Sequence, residues 1–152
     1  MVKKRKNFLK NYIKVFLYFF IITILLSFST IILHELGHFI FGILSNCYLV
    51  RIVLFDTQFM TTYTEMECPP STNIFLLGLS GSFLIIPIAI ILFFSKNKPD
   101  KYLAIIMFGF NILISIWDFE NYLHLPYSIL FAILGSIIIV IGEILLIEKT
   151  IF

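Results

Sequence analysis

From Val15 to Leu44 the chain runs without a proline, with Gly37 and Gly42 as its only glycines and Glu35 as its only formally charged residue. So long an apolar stretch folds as a helix that crosses a bilayer, for which about 20 residues suffice. The excess length requires tilt, a kink or an end that projects into a cavity. Polar groups inside such a stretch are costly unless paired or functional, and this one contains His34-Glu35-Leu36-Gly37-His38. Residues four apart share a helix face, so the imidazoles of His34 and His38 can bind one metal ion. Glu35 then reaches the metal's water from the adjacent face.

This is H-E-x-x-H spacing. Neutral imidazoles suit zinc, which in catalytic sites takes three protein ligands, keeps a fourth position for water and lowers that water's pKa to about 7. Glu35 is the expected general base, taking the water's proton and passing it to the leaving amine. The bland alternative is a satisfied structural cluster. It fits poorly, because the chain has only three His and two of them fall in this motif.

The rest of the chain supplies the setting. With 152 residues, 60% hydrophobic and 13% charged, and a mean hydropathy of +1.03, it belongs in a bilayer rather than around a water-soluble core. Lys3, Lys4, Arg5, Lys6, Lys10 and Lys14 precede the first apolar run, which directs the amino terminus to the cytoplasm. A cleavable signal peptide is the rival reading, but the run far exceeds an h-region and no small-residue cleavage site closes it. The expected architecture is an all-α polytopic membrane protein of one domain, with about four transmembrane helices over residues 15–44, 74–94, 102–119 and 126–147. A β-hairpin is expected over residues 47–68, where Tyr48–Phe55 and Phe59–Met66 are rich in β-branched and aromatic residues around Asp56-Thr57-Gln58. With Thr57 and Gln58 as a two-residue loop, Cys47 falls opposite Cys68; a disulfide and a pair of free thiols both fit that register. Gly78, Ser80, Gly81 and Ser82 read as a packing face of the second span or as room for an extended substrate. The link 95–101 carries Lys96, Lys98 and Lys101, a cytoplasmic signature, and the fourth span returns the carboxyl terminus to that side.

A third metal ligand follows from this topology. Spans one and three both run outward, and at 1.5 Å per residue His34 lies about 30 Å beyond Lys14 and Asp118 about 25 Å beyond Lys101, levels that coincide when the first helix is tilted. Asp118 is therefore the expected partner of His34 and His38, with Glu120 as the competing ligand. Asn111, one or two turns deeper, either hydrogen-bonds a substrate backbone or holds a neighbouring helix. His124 reads as a loop residue, and Glu143 is assigned no role.

The motif at His34–His38, the hairpin after it, the helix with Gly78 and Gly81 and the later helix with Asn111 and Asp118 stand in the order seen in site-2 proteases, which this chain resembles over residues 26–122. The resemblance implies zinc held inside the bilayer by His34, His38 and Asp118, and cleavage of transmembrane or membrane-associated peptides presented beside the hairpin. The chain departs from the family pattern in having Phe119 after Asp118 and no Pro between Asn111 and Asp118. Two other readings are a non-catalytic zincin-like membrane protein that binds a partner and a zinc hydrolase of lipid-linked substrates. An intact Glu35 argues against the first, and a hairpin edge able to pair with an extended strand favours a peptide over the second. The lipid bilayer is the expected environment, in a prokaryotic plasma membrane by the Ile-, Phe-, Lys- and Asn-rich composition. No nucleic-acid partner is expected.

Overall fold

The structure, a computed structural model, describes residues 2–56, 61–122, 124 and 128–151. Its elements are α1 (Val2–Leu44), β1 (Tyr48–Asp56), β2 (Thr61–Glu67), α2 (Ile74–Ser80), α3 (Ser82–Phe93), α4 (Lys98–Ile114), α5 (Ile116–Asn121) and α6 (Ser128–Ile151). The architecture is mainly helical with one small hairpin.

Helix α1 starts well before the expected residue 15 and ends where expected, at Leu44. Asn46 lies in the left-handed region with φ 56°, its N–H donates to Ile43 O and that of Cys47 donates to Gly42 O. This pairing is a Schellman cap; Asn is one of the few residues with a side chain that accepts such a backbone. The cap turns the chain back and sends Tyr48–Asp56 along the helix it has just left.

The hairpin is present, and its register is not the uniform one expected. Tyr48 pairs with Glu67 in step with the two cysteines, but Arg51 pairs with Glu65, Ile52 with Thr64 and Asp56 with Thr61, with irregularities between Tyr48 and Arg51 and between Val53 and Asp56. Irregularities of this kind bend and twist a two-stranded ribbon, which here packs on α1. The loop expected at Thr57 and Gln58 lies outside the described residues. Cys47 and Cys68 form a disulfide with a Cα–Cα distance of 4.1 Å and a sequence separation of 21. A closed loop of that size is worth about 3 kcal/mol on the chain-entropy argument.

Among the described residues three helical stretches are long and apolar enough to cross a membrane, Ile13–Leu44, Lys98–Asn121 and Ile129–Glu148. The straight second span expected over 74–94 is instead a broken one, because α2 and α3 meet at Gly81 with a bend of 46° and pass that test only as a pair. Asn73 caps α2, its side chain accepting from Leu76 N at 3.1 Å. Span three begins earlier than expected, at Lys98, and changes from α4 to α5 at Ser115. Pro126 lies outside the described residues, and α6 is described from Ser128.

The outward faces of these helices are strongly apolar, as expected of a membrane protein. Phe16 is 68% exposed, Ile91 71% and Ile129 68%, along with many like them, far more apolar surface than a water-soluble monomer leaves open. Lipid tails are as apolar as Leu, so helices in a bilayer associate through close packing rather than through burial from water. Phe19, Ile106, Ile139 and Leu146 form a buried cluster between α1, α4 and α6. Gly109 and Gly135 face one another across α4 and α6, and a Cβ on either would meet the other's carbonyl oxygen at 2.9 Å. Glu143 is paired within the bundle, its carboxylate accepting from Thr23 Oγ1 at 2.7 Å.

Candidate metal centre

One helical turn of α1 and the middle of α5 meet at a buried cluster. His34 Nε2 lies 2.8 Å from Asp118 Oδ2, His38 Nε2 lies 3.1 Å from the same oxygen, and the two Nε2 atoms are 3.2 Å apart. All three residues are buried. The levels reckoned along the two helices therefore coincide, and Asp118 rather than Glu120 joins the histidines; Glu120 is exposed. His124 is exposed too, in a left-handed backbone conformation with φ 50°.

Donor chemistry argues that a cation belongs at this point. Ser80 Oγ donates to Leu77 O at 2.7 Å, which leaves it to accept from His38 Nδ1 at 2.8 Å. Neutral His38 then carries its proton on Nδ1 and turns the Nε2 lone pair inward. That lone pair faces Asp118 Oδ2, another acceptor, so a positive charge is needed between them. Asp118 and Glu35 also place two carboxyl groups inside an apolar bundle, where among the described residues no Lys or Arg pairs with either. A divalent metal answers both demands, and donors spaced about 3 Å apart suit metal bonds of about 2.0–2.1 Å. The residues fit such an ion. Its identity is not determined by this geometry, because two imidazoles and a carboxylate suit several divalent metals.

Around the three donors stand residues that the sequence reading took as a packing face or as room for substrate. The bend at Gly81 lies directly on His34, where an added Cβ would overlap Cε1, Nε2 and Cδ2 of the imidazole. Gly37 faces the same bend, and a Cβ there would run into the carbonyl oxygen of Ser80. The two glycines let α1 and the broken span approach closely enough for Ser80 to reach His38. The signal was present in Gly78-Leu79-Ser80-Gly81-Ser82, but its meaning depended on where the bend fell. Gly81 has φ −55° and ψ −32°, which any residue adopts, so Gly81→Ala tests the steric contact alone. It should weaken metal binding at least about 10-fold through displacement of the His34 ring, read by competition with a chromophoric chelator.

Ser80→Ala removes the acceptor that sets the His38 tautomer. Outer partners of this kind are worth about 10–100-fold in metal affinity, and the same titration should show a loss in that range with the helical circular dichroism unchanged. Equal affinity would mean that the tautomer is set by something else.

Asn111 is 4% exposed and engaged within the bundle. Its Nδ2 donates to Ser82 Oγ at 3.0 Å, and Ser82 Oγ lies 3.2 Å from Asn111 Oδ1 and 3.4 Å from Ser115 Oγ. Of the two roles open to it, the helix-holding one is visible, pinning α3 to α4 below Asp118. Tyr122, one residue beyond α5, packs its ring 6.5 Å from that of His38. Burial, together with the nearby Asp118 and Glu35, pushes its phenol up, so it remains a neutral hydroxyl at the edge of the cluster.

Glu35 is not one of the three donors. It is 6% exposed and follows His34 directly on α1, one turn before His38. A carboxylate beside a metal and not ligating it is free to move protons.

No protein-family model, curated protein or solved structure matches this chain.

Proposed function

We propose that this chain is an intramembrane zinc metalloprotease of the site-2 protease kind, hydrolysing peptide bonds of membrane-embedded or membrane-associated substrates. The observation that carries the reading is the convergence of His34 Nε2, His38 Nε2 and Asp118 Oδ2 beside Glu35, a buried carboxyl group outside the donor set. Zinc held there would polarise the scissile carbonyl and bring the pKa of water near neutrality. His38, oriented by Ser80, and His34, confined by Gly81, offer their Nε2 lone pairs, and Asp118 supplies the negative charge. Glu35 accepts the proton of the attacking water at its carboxylate and passes it to the leaving amine. The low exposure of all four side chains keeps bulk solvent from screening these interactions.

With α2 and α3 counted together as one crossing, the amino-terminal basic cluster and the link with Lys96, Lys98 and Lys101 would share a side, and their positive charge favours the cytoplasmic one. The hairpin then lies on the far side of the plasma membrane, where its disulfide is at home. Trp117, next to Asp118 and 69% exposed, suits the outer lipid–water interface.

A panel of quenched fluorescent transmembrane peptides in detergent micelles, offered to zinc-loaded and chelator-treated protein, tests the reading. The expected result is cleavage that zinc restores after chelation. If no peptide is cut at full zinc occupancy, partner binding or hydrolysis of lipid-linked substrates replaces it.

A further inference from the structure

The base proposed above is gripped from the side away from the histidines. Thr64 Oγ1 lies 2.8 Å from Glu35 Oε2 and 3.0 Å from the backbone oxygen of Glu35. A hydroxyl has one proton to give, and the carboxylate is the stronger acceptor of the two. Among the described residues no other hydrogen bond reaches the Glu35 carboxyl group, so Oε1 is left for chemistry.

Thr64 is placed there by the build of the hairpin. Alternation along β2 puts Thr64 and Met66 on the face toward α1 and Glu65 on the other, where Glu65 pairs with Arg51 in solvent. The ribbon packs on α1 alone among the described elements. It can come close because Gly42 has no side chain, and a Cβ there would meet Val50 and the Met66 sulfur at 3.2–3.3 Å. The Schellman cap fixes one end of its base and the Cys47–Cys68 bond ties the other. These restraints hold a single hydroxyl against a carboxylate that belongs to another element.

We propose that Thr64 is a positioning residue for the reaction: its hydroxyl holds Oε2 of Glu35 so that Oε1 faces the His34–His38–Asp118 centre, which makes the disulfide-tied hairpin part of the catalytic apparatus. The inference rests on the protease reading for its role and on hydrogen-bond geometry for its contact. Thr64→Val keeps the shape and removes the donor; Thr64→Ser keeps the donor.

Two readouts on the zinc-loaded, full-length protein separate the two layers. The first is the rate at which dicyclohexylcarbodiimide, an apolar carboxyl reagent, modifies Glu35, located by mass spectrometry. The second is peptide cleavage, resolved into kcat and KM. Thr64→Val should speed modification of Glu35 about 10-fold and lower kcat about 10- to 100-fold at unchanged KM and zinc content, as expected when a reacting group is misplaced by an ångström or less. Thr64→Ser should restore both. Modification of Glu35 at the wild-type rate in Thr64→Val, or Thr64→Ser behaving like Val, overturns the proposal whatever the cleavage assay gives. Faster modification in a protein whose wild type cuts no peptide supports the clamp and overturns the protease reading instead.

Discussion

Glu35→Gln should leave about one metal ion per chain in place and lower peptide hydrolysis by about 10²–10⁴-fold, the range that a positioned general base contributes. The substitution is close to isosteric, and its amide oxygen can still accept from Thr64 Oγ1, so the packing of the hairpin on α1 is preserved. What it removes is the ability to take a proton from water. Because Glu35 is not among the three convergent donors, the metal content should not follow the activity. Elemental analysis and single-turnover cleavage on the same preparation make the comparison. Full activity in Glu35→Gln would sink the base assignment, and loss of the metal would place Glu35 among the ligands.

Asp118→Ala should lose the metal, whereas Glu120→Ala should keep it. Asp118 brings the single negative charge of the donor set and contacts both imidazoles; without it two neutral rings remain, and affinity should fall by more than about 100-fold, beyond what outer-shell partners contribute. Glu120 is two residues away and exposed, on a different face of α5. Metal analysis after purification without chelators distinguishes the two carboxylates directly. A metal-replete Asp118→Ala would move the ligand search to other groups near His34 and His38.

Much of this site could be read in the residues. His34, Glu35 and His38 are neighbours along one helix, and their geometry is set by a repeat of 3.6 residues, so spacing alone places two imidazoles on one face and the carboxylate beside them. Asp118 was also within reach, since two helices taken to start at one surface and to rise by the same step bring residues at similar distances to similar levels once the longer one is tilted. The hairpin followed from strand composition, which set Cys47 opposite Cys68 but left a disulfide and free thiols both open; the structure shows the disulfide, and the slips in register did not alter the pairing at its base.

The residues around the site were another matter. Ser80 and Gly81 matter because the second span breaks between them and α3, which aims a hydroxyl at His38 and a bare backbone at His34. Nothing in an apolar run with several small residues says at which of them it bends. Thr64 looked like one more β-branched strand residue; its meeting with Glu35 depends on which face the ribbon turns to α1 and on bulges that shift its register by one. Asn111 had two roles open, and only the position of Ser82 on the adjoining helix showed where its amide is spent.

The sequence by itself pointed to long apolar helices, to the H-E-x-x-H motif with Glu35 beside it and to Asp118 as its partner, because each rests on a periodicity within one element or on distance along an axis. Tertiary structure alone decided the orientation of His38, the confinement of His34 and the grip on Glu35, because those are contacts between elements whose bend, register and facing arise only when the chain is packed.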